Sequence, residues 1–170
     1  MQNPTPSTAQ TRAGNAAHWV VSEALESYQG GSLRDASEWV GTSTPNGLLV
    51  DAEMAEGAQV MVDEVVETVE ARSRQVGRDL RGDLLIEFRV HMPDIHEHNW
   101  GTLDCALYVP EIFVMHLWDY KNGHRQCDAE GNLQLIDYAL GLRNACGIHG
   151  HVDPAGIGGN ADSTTFLFSQ

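Results

Sequence analysis

Residues 102–119 constrain this chain more than any other stretch. Thr102-Leu-Asp-Cys-Ala-Leu-Tyr-Val109 and Ile112-Phe-Val-Met-His-Leu-Trp-Asp119 are apolar runs of strand length, separated only by Pro110-Glu111. This pattern predicts a β-hairpin with a tight connection. Asp104 stands near the start of the first strand and Asp119 near the end of the second, so antiparallel pairing draws the two carboxylates together. Side chains alternate along a strand, which points Asp119 and Lys121 the same way. Among Leu103, Ala106 and Val109 a carboxylate is costly to bury alone. Asp104 is therefore a candidate ligand for a cation rather than a turn residue.

Two acids and a lysine in one place suit hydrolysis of a phosphodiester. Carboxylates hold a hard cation through oxygen. The cation polarises a phosphate and lowers the pKa of a bound water, which the lysine orients or deprotonates. An ordinary surface pair is the alternative for Asp119 and Lys121, but Trp118 and Tyr120 imply that one side of this strand is packed. Downstream, Asn132-Leu-Gln-Leu-Ile-Asp-Tyr-Ala-Leu-Gly141 reads as a helix capped by Asn132. Gln134 and Tyr138 share one of its faces at i and i+4. They either brace the site and contact phosphate or pack the helix on the sheet, and one role does not preclude the other.

Gly101-Thr102-x-Asp104, Asp119-x-Lys121 and Gln134-x-x-x-Tyr138, in that order, resemble the PD-(D/E)xK nuclease superfamily, in particular its RecB-like branch and the phage exonucleases within it. The pieces 118–123 and 132–141 are similar to a phage-encoded domain-of-unknown-function family. The resemblance implies an α/β fold with a restriction-endonuclease-like α-β-β-β-α-β core, a central mixed sheet flanked by helices. It implies a Mg2+- or Mn2+-dependent deoxyribonuclease, an exonuclease on linear double-stranded DNA that leaves 5′-phosphate and 3′-hydroxyl ends. Such an enzyme works in the host cytoplasm, beside a phage single-strand annealing protein. Asp104, Asp119 and the Tyr120 carbonyl would hold the metal, Lys121 would act on the water, and Gln134 and Tyr138 would complete the catalytic set.

Two further ligands follow from the same resemblance. Gly14-Asn-Ala-Ala-His18 is similar to the Gly-x-x-x-His of the first helix of RecB-like nucleases, and an imidazole would bias the site toward manganese. Asn15 and Ser22 depart from the Thr and Glu found in relatives, and a solvent-facing helical histidine is the alternative. Glu87, the lone acid of Leu84-Leu-Ile-Glu-Phe-Arg-Val90, falls where relatives carry a glutamate near the metal. Strict alternation would put Leu85, Glu87 and Arg89 on one face, so an exposed Glu87–Arg89 pair is the competing expectation. Two other classes remain open: a catalytically inactive nucleic-acid-binding module on the same fold, and an acidic inhibitory phage protein that mimics DNA.

With 170 residues, one domain over 14–170 is expected, behind a loose polar arm at 1–13. Periodicity predicts helices over 14–29, ending at Gly30-Gly31, and over 51–74. It predicts strands over 84–91 and 164–169, with loops at 32–47 and 147–162. Phage relatives tend to continue past the last strand, so a minimal core is expected. No apolar run is long enough for a membrane span. The net charge of −14 weighs against a DNA-binding surface. Arg72, Arg74, Arg78, Arg81 and Arg89 gather in a short stretch, however, and Lys121, Arg125 and Arg143 flank the proposed site. Cys105, Cys127 and Cys146 suit a reducing compartment. Cys146-x-x-His149-x-His151 lacks a second pair at zinc-finger spacing, His96-Glu97-His98 is not a helical zinc motif, and no phosphate-binding glycine loop is present.

Overall fold

The computed structural model describes residues 9–91, 100–120, 133–145, 147, 151–152 and 163–169, with the backbone alone at 9–10, 133–135, 151–152 and 163–169. The chain divides into two compact units, Met1–Glu64 and Val65–Gln170. The boundary falls inside a helix.

In the first unit, α1 (Ala9–Gln29) buries Ala16, Ala17, Val20, Val21, Ala24, Leu25 and Tyr28, the stripe of an amphipathic helix. It begins ahead of Gly14, inside the stretch expected as a loose arm. Its first turns are anchored: the Asn46 amide donates to the Arg12 carbonyl (2.8 Å), and the Arg12 guanidinium donates to the Asn46 carbonyl (3.2 Å). At the other end Gly31 turns left-handed (φ 87°), and the Ser32 N–H reaches back to the Ser27 carbonyl, a Schellman closure. Residues 32–47, expected as loop, include a 3-10 turn, Ala36–Trp39, held by an Asp35/Glu38 capping box. The Ala36 N–H donates to Gln59 Oε1 on α2 (Ala52–Val76) at 2.7 Å. Asp51 caps α2 by accepting from the Met54 N–H (2.8 Å).

The second unit holds the remainder of α2, which stops at Gly77 (φ 74°), and the sheet. Strands β1 (Leu84–His91), β2 (Trp100–Val109) and β3 (Val114–Trp118) form an antiparallel meander. After α3 (Leu133–Ala145) come β4 (His151–Val152) and β5 (Ser163–Ser169), giving the order β1-β2-β3-β5-β4. Every pairing described is antiparallel, so the expected mixed sheet is corrected to an antiparallel one. β4 lies in the stretch expected as a glycine-rich loop, and β5 pairs antiparallel with both it and β3. The fold is mixed α/β.

The hairpin expected from sequence is the β2–β3 pair, in the register Cys105↔Trp118 to Val109↔Val114. Its connection is longer than two residues. Pro110 opens a 3-10 turn, Pro110–Ile112, and Phe113 closes it in the left-handed region (φ 53°), which shortens β3. On one side of the sheet, Val90, Leu103, Ala106, Met115 and Leu117 meet Tyr138, Ala139 and Leu142 of α3. Leu142 carries α3 past the expected end at Gly141, because its burial continues the packed face.

Candidate metal centre

Glu87 breaks the regularity of β1. Its φ is 48°, a left-handed conformation that costs an L-residue about 1–2 kcal/mol. Pairing with β2 is registered on both sides of it, Ile86↔Cys105 and Phe88↔Leu103, and skips Glu87 opposite Asp104. The kink changes which side chains face α3. Leu85, Phe88 and Val90 all pack there, although 85 and 88 differ in parity. Arg89 and His91, on either side of Val90, are left to the other side. On β2, Leu103 and Ala106 likewise both lie in the α3-side core although they differ in parity, so the alternation breaks opposite Glu87, at Asp104 and Cys105. The expected shared face of Leu85 with Glu87 and Arg89 is therefore corrected, and the cause is the backbone at Glu87.

The kink delivers two carboxylates. Glu87, exposed, and Asp104, 8 % exposed, offer oxygens within 4.8 Å of each other. Ligands of a hard cation stand about 2.0–2.6 Å from it, so a single ion can bridge oxygens at this spacing. Asp104 is fixed by its surroundings: Oδ2 accepts the Tyr120 backbone N–H at 2.6 Å. A hydrogen bond to the charged form offsets part of the cost of burial.

Asp119 lies one step past the Cys105↔Trp118 pair, across from Asp104 in register, and is 6 % exposed. It does not join Glu87 and Asp104 in one group with all ligand atoms within 4.8 Å. Tyr120 is buried, with its N–H committed to Asp104. Tyr138 is buried in the core between α3 and the sheet, the packing alternative to its expected place in the catalytic set. Gln134 lies on α3, its side chain outside the described residues, and Lys121 and Asn132 also lie outside them. His18 is half-buried on α1 in the first unit. Cys105 is fully buried, and burial, then the charge of Asp104, pushes its thiol well up. It is a core thiol, not a nucleophile.

The arginine cluster is largely committed to internal partners. Arg78 bridges Glu111 and Asp83, Arg81 pairs with Asp79 and holds its carboxyl down to about 2, and Arg74 pairs with Glu70 at 3.8 Å. The Arg72 guanidinium donates from Nε to His116 Nε2 at 3.0 Å. His116, 6 % exposed, stacks near Trp118, with ring centroids 5.7 Å apart. Burial, then the Arg72 charge, lowers its pKa to about 4, so the ring is neutral. Sequence reasoning missed this pair, since no local pattern joins positions 72 and 116. It also missed the grouping of Arg89, His91 and Trp100, where the i, i+2 spacing on β1 was a usable signal.

A family model described as "Protein of unknown function (DUF2800)" matches residues 1–153, a span that takes in every candidate residue from His18 to Tyr138. No curated protein and no solved structure matches the chain.

Proposed function

The chain belongs to the DUF2800 family of unknown function, and we propose that it is a metal-dependent deoxyribonuclease of the PD-(D/E)xK type. The observation that carries this reading is the carboxylate pair: a strained Glu87 held within 4.8 Å of a buried Asp104. Backbone strain of this kind persists where a site requires it. Glu87 and Asp104 supply hard oxygen ligands, Asp119 a further carboxylate nearby, and the Tyr120 carbonyl and His18 the remaining ligands that the resemblance suggests. A magnesium or manganese ion there would polarise the phosphate and make water more acidic. Lys121, by the same resemblance, orients the attacking water. The water oxygen bonds to phosphorus as the P–O3′ bond breaks. One water proton is released and the departing 3′ oxygen takes one up, leaving 5′-phosphate and 3′-hydroxyl ends.

The test is incubation of the purified protein with end-labelled linear and closed circular DNA in magnesium, manganese or EDTA. Metal-dependent loss of the linear form alone supports an exonuclease, and loss of both an endonuclease. Intact DNA under every condition refutes the reading. It would favour an acidic, non-catalytic protein, a view that the internally paired arginines and the net charge of −14 support.

A further inference from the structure

Beyond the carboxylates, the His91–Trp100 end of the β1–β2 ribbon gathers an aromatic face and two nitrogen-bearing side chains. Trp100 is 50 % exposed. The His91 ring stacks against it, with centroids 4.3 Å apart and planes at 23°, and the Arg89 guanidinium carbon lies 4.9 Å from its ring centre. Trp100 pairs with His91, and Arg89 with Thr102, in the β1–β2 register. A tryptophan burying itself for stability would be covered, yet half of this one faces solvent. Arg74, Arg78 and Arg81 are paired with carboxylates, whereas Arg89 lies over an aromatic ring.

We infer that Trp100, with Arg89 and His91, is a stacking platform for an unpaired nucleobase at a DNA end, which positions the strand over the Glu87–Asp104 pair. This rests on the nuclease reading. Three observations favour a nucleobase. An open aromatic face stacks on any base, and an adjacent guanidinium complements the phosphate that follows it. In a chain of net charge −14, a cation held at such a face marks a place where an anionic polymer is tolerated. Trp100 also stands four residues before Asp104 on β2, roughly 13 Å at the rise of a strand. Each nucleotide of a stacked strand rises ~3.4 Å along the helix axis, so the platform would receive a base within about four nucleotides of the scissile bond.

The test uses the full chain and a labelled duplex with a short single-stranded end. Affinity is read by anisotropy in EDTA, and KM and kcat in magnesium. Trp100→Ala should weaken binding at least ~5-fold and raise KM with kcat little changed, while Trp100→Phe should restore most of the loss. An abasic linker stepped through the first four nucleotides should find one position that weakens wild-type binding as much as Trp100→Ala does. At that position the two losses should not add, because they remove one contact. If Trp100→Ala fails to fold, Arg89→Gln carries the test, and its deficit should shrink as salt rises.

Unchanged affinity and KM in Trp100→Ala, or abasic losses that add in full, overturn the platform and leave the nuclease reading standing. A wild-type protein that neither binds nor cleaves DNA removes both.

Discussion

His116 should make the protein acid-sensitive by an amount that can be worked out. In the folded chain its pKa is lowered from 6.5 to about 4, by burial and then by the Arg72 guanidinium. The unfolded chain takes up a proton near 6.5 while the folded one refuses it until about 4. The neutral ring's stabilisation is thus complete above 6.5 and lost as pH falls through the window to about 4. At ~1.36 kcal/mol per pH unit, the full gap is worth about 3 kcal/mol, and about 2 kcal/mol of it is lost by pH 5. His116→Gln isolates the effect, since its amide oxygen can still accept from Arg72 Nε but does not titrate. Urea unfolding, followed by tryptophan fluorescence at pH 7.5 and 5, should show wild type losing about 2 kcal/mol more than the variant. Equal losses would mean that His116 is protonated in the fold or open to water, and the Arg72 hydrogen bond would have to be withdrawn.

Two further perturbations address the carboxylate pair. Glu87→Gly relieves the left-handed strain and Glu87→Ala keeps it, so the glycine variant should be more stable by about 1 kcal/mol although both lose metal-dependent cleavage; thermal melts giving the reverse order would mean the kink is not strained. Asp104→Asn keeps an acceptor for the Tyr120 N–H but removes a charge beside Glu87. It should melt in EDTA at or above the wild-type temperature yet gain little from manganese, and a manganese shift as large as wild type's would exclude Asp104 as a ligand.

The hairpin was legible because two apolar runs with a proline between them leave few options, but its register was not: a connection of Pro110-Glu111 alone would set Asp104 across from Leu117, and the 3-10 turn closed by Phe113 shifts the pairing by two residues. The partner that the structure brings to Asp104 was harder to read. Glycine or asparagine announces a left-handed residue, and Glu87 is neither, so strict alternation assigned its neighbours to the wrong faces. Leu85 and Phe88 both reach α3, something only tertiary packing could decide. The antiparallel β5 was likewise hidden, because two-residue β4 leaves almost no periodic trace within a glycine-rich stretch. α1 begins early because Arg12 and Asn46 hold one another, a contact with no local signature.

The turn at Glu87 also bears on how the protein stays in solution. In the described strand order β1 stands at one end, and an end strand can template pairing with another chain, the first step of edge-to-edge aggregation. The positive φ divides β1 into Leu84–Ile86 and Phe88–His91, and neither piece is long enough to recruit an incoming strand with much affinity. One strained residue would thus serve both the proposed chemistry and the colloidal behaviour of the molecule. Substitutions that let β1 run straight for all eight residues would cost solubility as well as the proposed catalysis.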